Sequence, residues 1–188
     1  MGALICAGIT SLDGYIADEQ GDFSWGRPDP ELHSFVNELE RPIGTYLYGR
    51  RMYEVMRFWQ DADTEHELPG PEREYAAIWQ DTDKVVYSST LTEVETPRTR
   101  LERAFDADAV RRMKQEAERD LSVSGPHLAE HAFRAGLVDE VHLFVHPVAV
   151  GGGTALLPRG IRLDLELRDE RRFATGVVYL RYGVLGVR

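Results

Sequence analysis

Hydrophobic residues are arranged in two different patterns along this chain. Nearly continuous apolar runs, such as residues 3–10 (ALICAGIT), predict strands that are covered on both faces of a sheet. Between such runs, apolar residues recur at intervals of three and four, which predicts helices with one buried stripe. Asp29 and Pro30 precede the clearest stripe and suit the N-cap and the first helical position. That stripe consists of Leu32, Phe35, Val36 and Leu39.

The same two patterns predict the remaining elements. Helices are expected at 50–59, within 75–80, from Asp106 to about 120, and from Pro126 to near Gly136, with an acidic loop at 61–74. The last two strands alternate apolar and polar residues, so we expect them to be antiparallel neighbours. Strands after the first are predicted at 44–49, 84–89, 99–105, 121–124, 140–150, 162–173 and 176–187.

Strands alternate with helices up to about residue 145, and two further strands then close the fold. This order predicts an α/β sandwich whose sheet is mostly parallel with an antiparallel edge. No linker, repeat or low-complexity segment divides the chain, so residues 1–188 are expected to form a single domain.

Composition narrows the class of protein. The formal net charge is −10, with 43% hydrophobic and 29% charged residues. An acidic surface disfavours binding to nucleic acid or membranes, and no apolar run approaches the roughly 20 residues of a membrane helix. The single cysteine, Cys6, lies in the first apolar run, so no disulfide can form within the chain. We therefore expect a cytoplasmic protein that binds neither nucleic acid nor membranes.

Small and polar residues follow three of the predicted strands. Gly49-Arg50-Arg51 places two guanidinium groups at a helix start, where free N–H groups also favour anions. Ser88-Ser89-Thr90 offers hydroxyl groups, and Gly125-Pro126 lets the backbone approach a ligand. Because ligands bind at the carboxyl ends of parallel strands, the three segments together predict a site for a ligand with several phosphates.

The helix after the third segment also spells His-x-x-Glu-His with His127, Glu130 and His131, a spacing of some zinc peptidases. His127, however, lies in the first turn of a short helix. His142 and His146 lie about 13 Å apart at ~3.3 Å per residue, too far to share one metal. The sequence therefore favours the phosphate site, and no metal is expected.

Three consecutive glycines, residues 151–153, follow the strand at 140–150. They lack the Lys-Ser/Thr pair of a P-loop and the full G-x-G-x-x-G spacing. This segment is either a turn that lets the backbone approach the phosphate site or a plain hinge between strand and loop.

Four stretches carry a resemblance to a known family. In chain order they are SLDGYIA (11–17), LYGRRMYEVM (47–56), VVYSSTL (85–91) and LSVSGPHLAEHAFRAGLVDEVHLFVHPVAVGGGTALL (121–157). Together they resemble the dihydrofolate reductase-like superfamily, and most closely the RibD C-terminal reductase-type proteins of bacteria. The resemblance implies a three-layer αβα sandwich around a mixed sheet, NADPH as a non-covalently bound cofactor, and a homodimer.

The resemblance also implies how NADPH is held. Positions near the nicotinamide are Ile9 and residues 13–16, including Asp13, Gly14 and Ile16. Positions along the pyrophosphate and the 2′-phosphate are Gly49, Arg50, Arg51 and Met52. The adenosine side corresponds to Ser88, Ser89 and Leu91. The turn that wraps the pyrophosphate corresponds to Gly125, Pro126, His127 and Leu128.

Two departures from the folate reductases change the expectation. Their Gly-Gly turn, which has a cis peptide bond, is Gly125-Pro126 here; a cis bond costs less before proline, so we expect it to be cis. Their helix carboxylate, counted back from Gly49 without gaps, is replaced by His33, so reduction of dihydrofolate itself is not expected. A chain with one cysteine also cannot supply the zinc deaminase site of RibD.

The expected chemistry is hydride transfer from NADPH to a C=N or C=O carbon of a pteridine- or pyrimidine-like molecule. Candidates for handling the proton are Asp13, His33 and Glu31, although Asp13 also suits an Asp-Gly turn. Trp25 and Tyr53 either stack on a flat substrate or pack in the core. Two other functions stay open: nucleotide binding without turnover, suggested by the missing helix carboxylate, and a flavin reductase-like activity.

Overall fold

An eight-stranded sheet lies at the centre of the molecule. The computed structural model describes residues 1–62 and 67–188. The main sheet has the order β5-β4-β3-β6-β1-β7-β10-β9, and β2 and β8 form a separate pair. The strands are β1 (Leu4–Thr10), β2 (Tyr15–Ala17), β3 (Ile43–Gly49), β4 (Asp83–Tyr87), β5 (Thr99–Glu102), β6 (Asp120–Ser124), β7 (Glu140–Val145), β8 (Thr154–Ala155), β9 (Leu163–Arg172) and β10 (Val178–Val187).

The strands from β5 to β7 in this order run parallel to one another. β10 is antiparallel to both β7 and β9. The predicted mostly parallel sheet with antiparallel C-terminal strands is therefore confirmed. The turns that follow β1, β3, β4, β6 and β7 lie along one side of the sheet, the carboxyl edge, where ligands bind in folds of this class.

Among the described residues, five helices cover the sheet, and local sequence signals mark where two of them begin. The Asp29 side chain accepts a hydrogen bond from the Leu32 N–H at 2.8 Å, as predicted for an N-cap. Asp106 caps its helix in the same way through the Asp108 N–H. In the two described ranges, no helix is long and apolar enough to cross a bilayer. The helices are α1 (Pro30–Glu40), α2 (Arg50–Met56), α3 (Gly70–Asp81), α4 (Ala107–Glu116) and α5 (Pro126–Arg134), with 3-10 turns at Ser24–Gly26 and Arg57–Gln60.

Side chains of the central strands alternate between two hydrophobic clusters. Leu4 and Cys6 of β1 are buried with the apolar faces of α4 and α5, whereas Ile5 is buried on the opposite face with α2 and α3. β3 divides in the same way, with Leu47 on the first face and Tyr46 on the second. The sheet is thus covered on both sides, which confirms the three-layer αβα sandwich.

Some boundaries differ from the prediction. α3 begins at Gly70, ahead of the predicted 75–80, and β5 ends at Glu102 instead of 105. β7 ends at Val145 instead of 150, because Pro147 has no N–H to continue the ladder. Residues 63–66 of the predicted acidic loop lie outside the described residues.

Candidate active site

Two glycine turns meet at the carboxyl edge. β3 and β6 are neighbours, and each continues directly into a helix: α2 follows Gly49 and α5 follows Gly125. Gly125 has a φ of +101°, and a Cβ on it would lie 3.4 Å from the Gly49 nitrogen. The positive φ favours glycine at position 125, and the distance shows that the two turns are in contact. The starts of α2 and α5 are therefore held next to each other.

These helix starts leave backbone donors available. Neither Gly49 nor Gly125 has a side chain to cap its helix, so first-turn N–H groups lack the usual side-chain acceptor. In α5, His127 and Leu128 follow Pro126, which has no N–H of its own. Two adjacent helix starts with free donors favour an anion such as a phosphate. We call residues 49–51 and 125–128 the glycine turns.

The two arginines of the first glycine turn are not equivalent. Arg50 Nη1 donates to Glu54 Oε1 at 3.0 Å, one helical turn along α2. Arg51 is exposed, and no hydrogen bond or ion pair engages it within the part of the chain that the structure describes. Arg51 is thus the guanidinium that is free to bind a phosphate at this turn.

The hydroxyl of Ser88 shapes the turn after β4. β4 lies beside β3 with Tyr87 opposite Gly49, so this turn adjoins the first glycine turn. Ser88 Oγ accepts hydrogen bonds from the N–H groups of Thr90 (3.2 Å) and Leu91 (3.0 Å) and is buried. Ser89 beside it is exposed. Ser88 therefore builds the turn, and Ser89 is the hydroxyl left open to solvent.

The apolar residues of the predicted cofactor site divide between the faces of the sheet. Ile16 packs with Leu128 in the cluster of α4 and α5, whereas Met52 and Leu91 pack with α2 and α3. Ile9 lies against the 3-10 turn, since a Cβ on Gly26 would be 2.8 Å from Ile9 Cγ2. Ile9 thus contacts the segment that enters α1, apart from the glycine turns.

Asp13 ties two loops of the carboxyl edge together. Its carboxylate accepts hydrogen bonds from the N–H groups of Val150 (3.2 Å) and Gly151 (2.7 Å). A hydrogen bond from the Ser11 side chain, followed by these amides, lowers the pKa of Asp13 below its ordinary value. A carboxylate in this state is ionised at neutral pH and is a poor proton donor. The geometry therefore favours the turn-residue interpretation of Asp13.

The three glycines after β7 pack against the loop that follows β1. A Cβ on Gly153 would overlap the carbonyl oxygen of Ala17, and one on Gly152 would lie 2.9 Å from Glu19 Oε1. This contact lets the short strands β2 and β8 pair. The glycines thus serve close packing between two backbone segments.

A cavity of about 300 Å³ opens at the carboxyl end of β7. Its walls come from the 3-10 turn, the start of α1, the residues that follow β7, and the turn between β9 and β10. We call it the β7 cavity. It is lined by Trp25, Arg27, Asp29, Leu32, His146, Pro147, Val148, Thr175 and Val177.

Trp25 and His146 bring two buried polar nitrogens to the β7 cavity. Their rings pack edge to face with centroids 6.0 Å apart. Trp25 Nε1 and His146 Nε2 are buried, and neither has a hydrogen-bond partner among the described residues. Buried polar atoms almost always have a partner, so these two are positioned to receive one from a ligand.

His146 lies next to the end of β1. Its backbone N–H donates a hydrogen bond to the Thr10 carbonyl at 2.8 Å. Along the paired strands β1 and β7, Ile9 lies opposite Phe144. The β7 cavity therefore adjoins the strand end that carries Ile9. Burial lowers the pKa of His146 from its ordinary value, while the Trp25 backbone and the charge of Asp29 oppose that effect.

His33 and Glu31 lie away from the lining of the β7 cavity. The His33 ring is buried between α1 and α3, with its centroid 5.7 Å from that of Tyr75, and its Nδ1 lies 3.3 Å from Asn37 Oδ1. Glu31 is exposed and accepts from Arg171 at 3.0 Å. Consecutive helical residues differ by about 100° in direction, so residues adjoining Leu32 leave the face that it presents to the cavity.

Of the two aromatic candidates, only Trp25 lines the β7 cavity. The Tyr53 hydroxyl accepts from the N–H groups of Glu95 (3.1 Å) and Thr96 (3.3 Å), and its ring is buried in the α2–α3 cluster. Tyr53 therefore packs in the core and anchors the segment that leads to β5.

The three residues of the His-x-x-Glu-His motif lie in different environments. Glu130 accepts two hydrogen bonds from Arg134, and the His131 ring stacks on Phe105 with centroids 5.7 Å apart. His127 is exposed at the start of α5. Over residues 1–62 and 67–188, no cluster of three or more His, Cys, Asp or Glu side chains has the arrangement of a metal site.

The expectation of a cis bond before Pro126 is wrong. The described residues contain no cis peptide bond. The positive φ of Gly125 reverses the chain direction at this turn, so a trans bond is sufficient to start α5.

Sequence reasoning missed most of the β7 cavity. Asp29 was interpreted only as a helix cap and His146 only as a possible metal ligand. Thr175 and Val177 belong to a turn far along the chain. The available signal was the polar residue His146 at the end of the strongest predicted strand, in the position where β-sheet ligands bind.

Comparisons with known proteins agree with this geometry. A curated relative, "Uncharacterized protein YyaP" of Bacillus subtilis (strain 168), is 28% identical over 176 residues, covering 92% of this chain and 89% of its own. A pyrimidine reductase-like protein of Corynebacterium diphtheriae superposes with a TM-score of 0.68 at 13% identity, over 98% of this chain and 92% of the other. Dihydrofolate reductase from Enterococcus faecalis, complexed with NADP(H), gives a TM-score of 0.59 at 14% identity, over 98% of both chains.

The structural matches show a dihydrofolate reductase-like fold. The family model of the RibD C-terminal domain matches residues 3–179, which span every strand of the parallel sheet and both glycine turns. The chain therefore belongs to the RibD C-terminal domain family.

Proposed function

We propose that the protein is an NADPH-dependent reductase that transfers hydride to a C=N or C=O carbon of a pteridine- or pyrimidine-like small molecule. The observation that carries this proposal is the contact of the two glycine turns at the carboxyl edge, the same edge on which the β7 cavity opens. Two structural neighbours support the reaction class by their names, a pyrimidine reductase-like protein and a dihydrofolate reductase with NADP(H).

The residues at the carboxyl edge fit such a cofactor. Gly125 holds a positive φ next to Gly49, and neither glycine places a side chain over the turns, so the backbone of both turns stays open to a pyrophosphate. The free guanidinium of Arg51 suits a 2′-phosphate, which distinguishes NADPH from NADH. Bound NADPH would supply the hydride, and the chain would bind and orient it.

The β7 cavity fits the substrate half of the reaction. Its volume of about 300 Å³ lies at the lower end of small-molecule pockets. The indole of Trp25 and the apolar side chains of Leu32 and Val177 suit a flat ring, and the polar atoms of Trp25 and His146 suit ring nitrogens or carbonyl groups.

A binding and turnover experiment tests the proposal. NADPH is titrated while tryptophan fluorescence is followed, and NADPH oxidation is then measured with dihydrofolate, an aminouracil riboside, riboflavin and FMN. We expect tighter binding of NADPH than of NADH and oxidation with a pyrimidine or pteridine. Binding without oxidation indicates a nucleotide-binding protein, oxidation only with flavins indicates a flavin reductase, and absence of binding contradicts the proposal.

Two further expectations stay predictions. A homodimer is tested by light scattering coupled to size-exclusion chromatography, and a cytoplasmic location by fractionation of cells that express the protein. The homodimer follows from the resemblance, and the cytoplasmic location follows from the single cysteine, Cys6, which leaves no disulfide within the chain.

A further inference from the structure

One imidazole occupies the wall that the β7 cavity shares with the end of β1. His146 is 5% exposed, and its backbone N–H donates a hydrogen bond to the Thr10 carbonyl. The Nε2 atom of its ring has no partner within the described residues. The other buried histidines are engaged elsewhere: His142 contacts Glu140 and Tyr179, and His33 contacts Asn37. Among these three buried histidines, His146 is therefore the one that lines the β7 cavity and whose Nε2 has no partner within the described residues.

Resting on the proposed reductase function, we infer that His146 donates the proton that accompanies hydride transfer to the substrate. The hydride brings two electrons to the carbon of the C=N or C=O group and forms a C–H bond. The π pair of that double bond moves to the nitrogen or oxygen, which takes the proton from the His146 imidazolium. The products are NADP⁺, the N–H or O–H compound and neutral imidazole, which regains a proton from water.

The other charged groups around the cavity are less suited to this role. Asp29 Oδ1 already accepts the cap hydrogen bond from Leu32. Arg27 lies 3.7 Å from Glu72, and a guanidinium does not serve as a proton donor in proteins. The walls after β7 and between β9 and β10 contribute Pro147, Val148, Thr175 and Val177, none of which titrates. The negative charge of Asp29 is placed to favour the imidazolium.

The environment of His146 predicts the shape of the pH profile. Burial lowers its pKa below the ordinary value of 6.5, against the opposing effects of the Trp25 backbone and Asp29. Since a proton donor must be protonated to act, kcat/KM should fall as pH rises through this pKa. The slope above it should be about tenfold per pH unit.

The experiment compares the wild type with His146→Gln, His146→Ala and a control, His142→Gln, which lies in β7 itself and outside the cavity. The pKa of His146 is read by histidine-selective NMR in the free protein, and NADP⁺ affinity by tryptophan fluorescence. Turnover is measured against the panel compound that the wild type reduces. We expect His146→Gln to lower kcat by about 100-fold or more while NADP⁺ binding is retained. Added imidazole should restore part of the turnover of His146→Ala.

The outcomes separate this inference from the function on which it rests. Proton donation is supported if kcat/KM falls with rising pH at the pKa that NMR gives for His146. It is also required that this fall disappears in His146→Gln and persists in His142→Gln. A fall that persists in His146→Gln, or turnover that survives the substitution, overturns it while the reductase function stands. Failure of the wild type to bind NADP⁺ or to reduce any panel compound overturns both.

Discussion

The glycine turns and the β7 cavity lie on the same edge of the sheet but are built in opposite ways. The glycine turns consist of consecutive residues at two strand ends, and they present backbone N–H groups and one free guanidinium. The β7 cavity draws its side chains from four segments between Trp25 and Val177. One region is thus suited to phosphate groups common to many nucleotides, and the other to the particular shape of one substrate. Substitutions in the two regions should therefore separate cofactor affinity from turnover.

The largest effect is expected from Gly125→Ala. An L-residue at φ +101° is strained by about 1–3 kcal/mol, and its Cβ would meet the Gly49 nitrogen at 3.4 Å. We expect a lower free energy of unfolding, measured by urea titration, together with weaker NADP⁺ binding. The control is Gly136→Ala, at φ +63° with nothing within 4 Å of a Cβ, which should lose stability without losing NADP⁺ affinity. Wild-type NADP⁺ affinity in Gly125→Ala would contradict the role of the glycine turns.

Arg51→Ala should weaken NADPH binding by roughly tenfold or more, because charge-assisted hydrogen bonds contribute about 1.5–3 kcal/mol. NADH, which lacks the 2′-phosphate, should bind as it does to the wild type. Arg50→Ala should have a smaller effect, since Arg50 already pairs with Glu54. Isothermal titration with both nucleotides measures the difference, and Arg57→Ala, which removes a pair with Glu95, is the matched control. Equal weakening of NADPH binding and NADH binding would contradict a contact between Arg51 and the 2′-phosphate.

Asp13→Asn should loosen the loop beside the β7 cavity without removing the proton donor. The neutral amide is a weaker acceptor for the N–H groups of Val150 and Gly151, so their hydrogen exchange should accelerate. Asp18→Asn in the same loop changes a carboxylate that bonds only locally, to Gln20 and Asp22, and should leave those two amides protected. If the fall of kcat/KM with rising pH disappeared in Asp13→Asn, Asp13 and not His146 would be identified as the proton donor.

Glu31→Gln should have the smallest effect. Its pair with Arg171 is half exposed, and such surface pairs contribute about 0–1 kcal/mol. Thermal unfolding and turnover should stay close to those of the wild type, as in Glu130→Gln, which removes the surface pair with Arg134. A large loss of turnover in Glu31→Gln but not in Glu130→Gln would indicate that Glu31 of α1 handles the proton.

The sequence predicted the regions that depend on consecutive residues. The sheet with its antiparallel edge, the caps at Asp29 and Asp106 and the neighbouring strand ends at Gly49 and Gly125 all follow from local pattern and strand order. The isomer of the bond before Pro126 did not, because proline only lowers the cost of a cis bond and trans remains the favoured isomer.

The β7 cavity could not be predicted in this way, because no local pattern brings Trp25, His146 and Thr175 together. His33 shows the same limit. Its position in the sequence suggested a substrate contact, but packing of α1 on α3 buries its ring against Tyr75. A helical register fixes the direction of a side chain only after the neighbouring elements are known.

A crystal structure of the protein with NADP⁺ tests the whole arrangement most directly. The account predicts the pyrophosphate within hydrogen-bond distance of the N–H groups at residues 49–51 and 127–128, and the 2′-phosphate at Arg51. It also predicts the nicotinamide beside Ile9, with its ring facing the cavity wall formed by His146. A dinucleotide bound away from both glycine turns, or a nicotinamide separated from the β7 cavity by the body of the sheet, would contradict it.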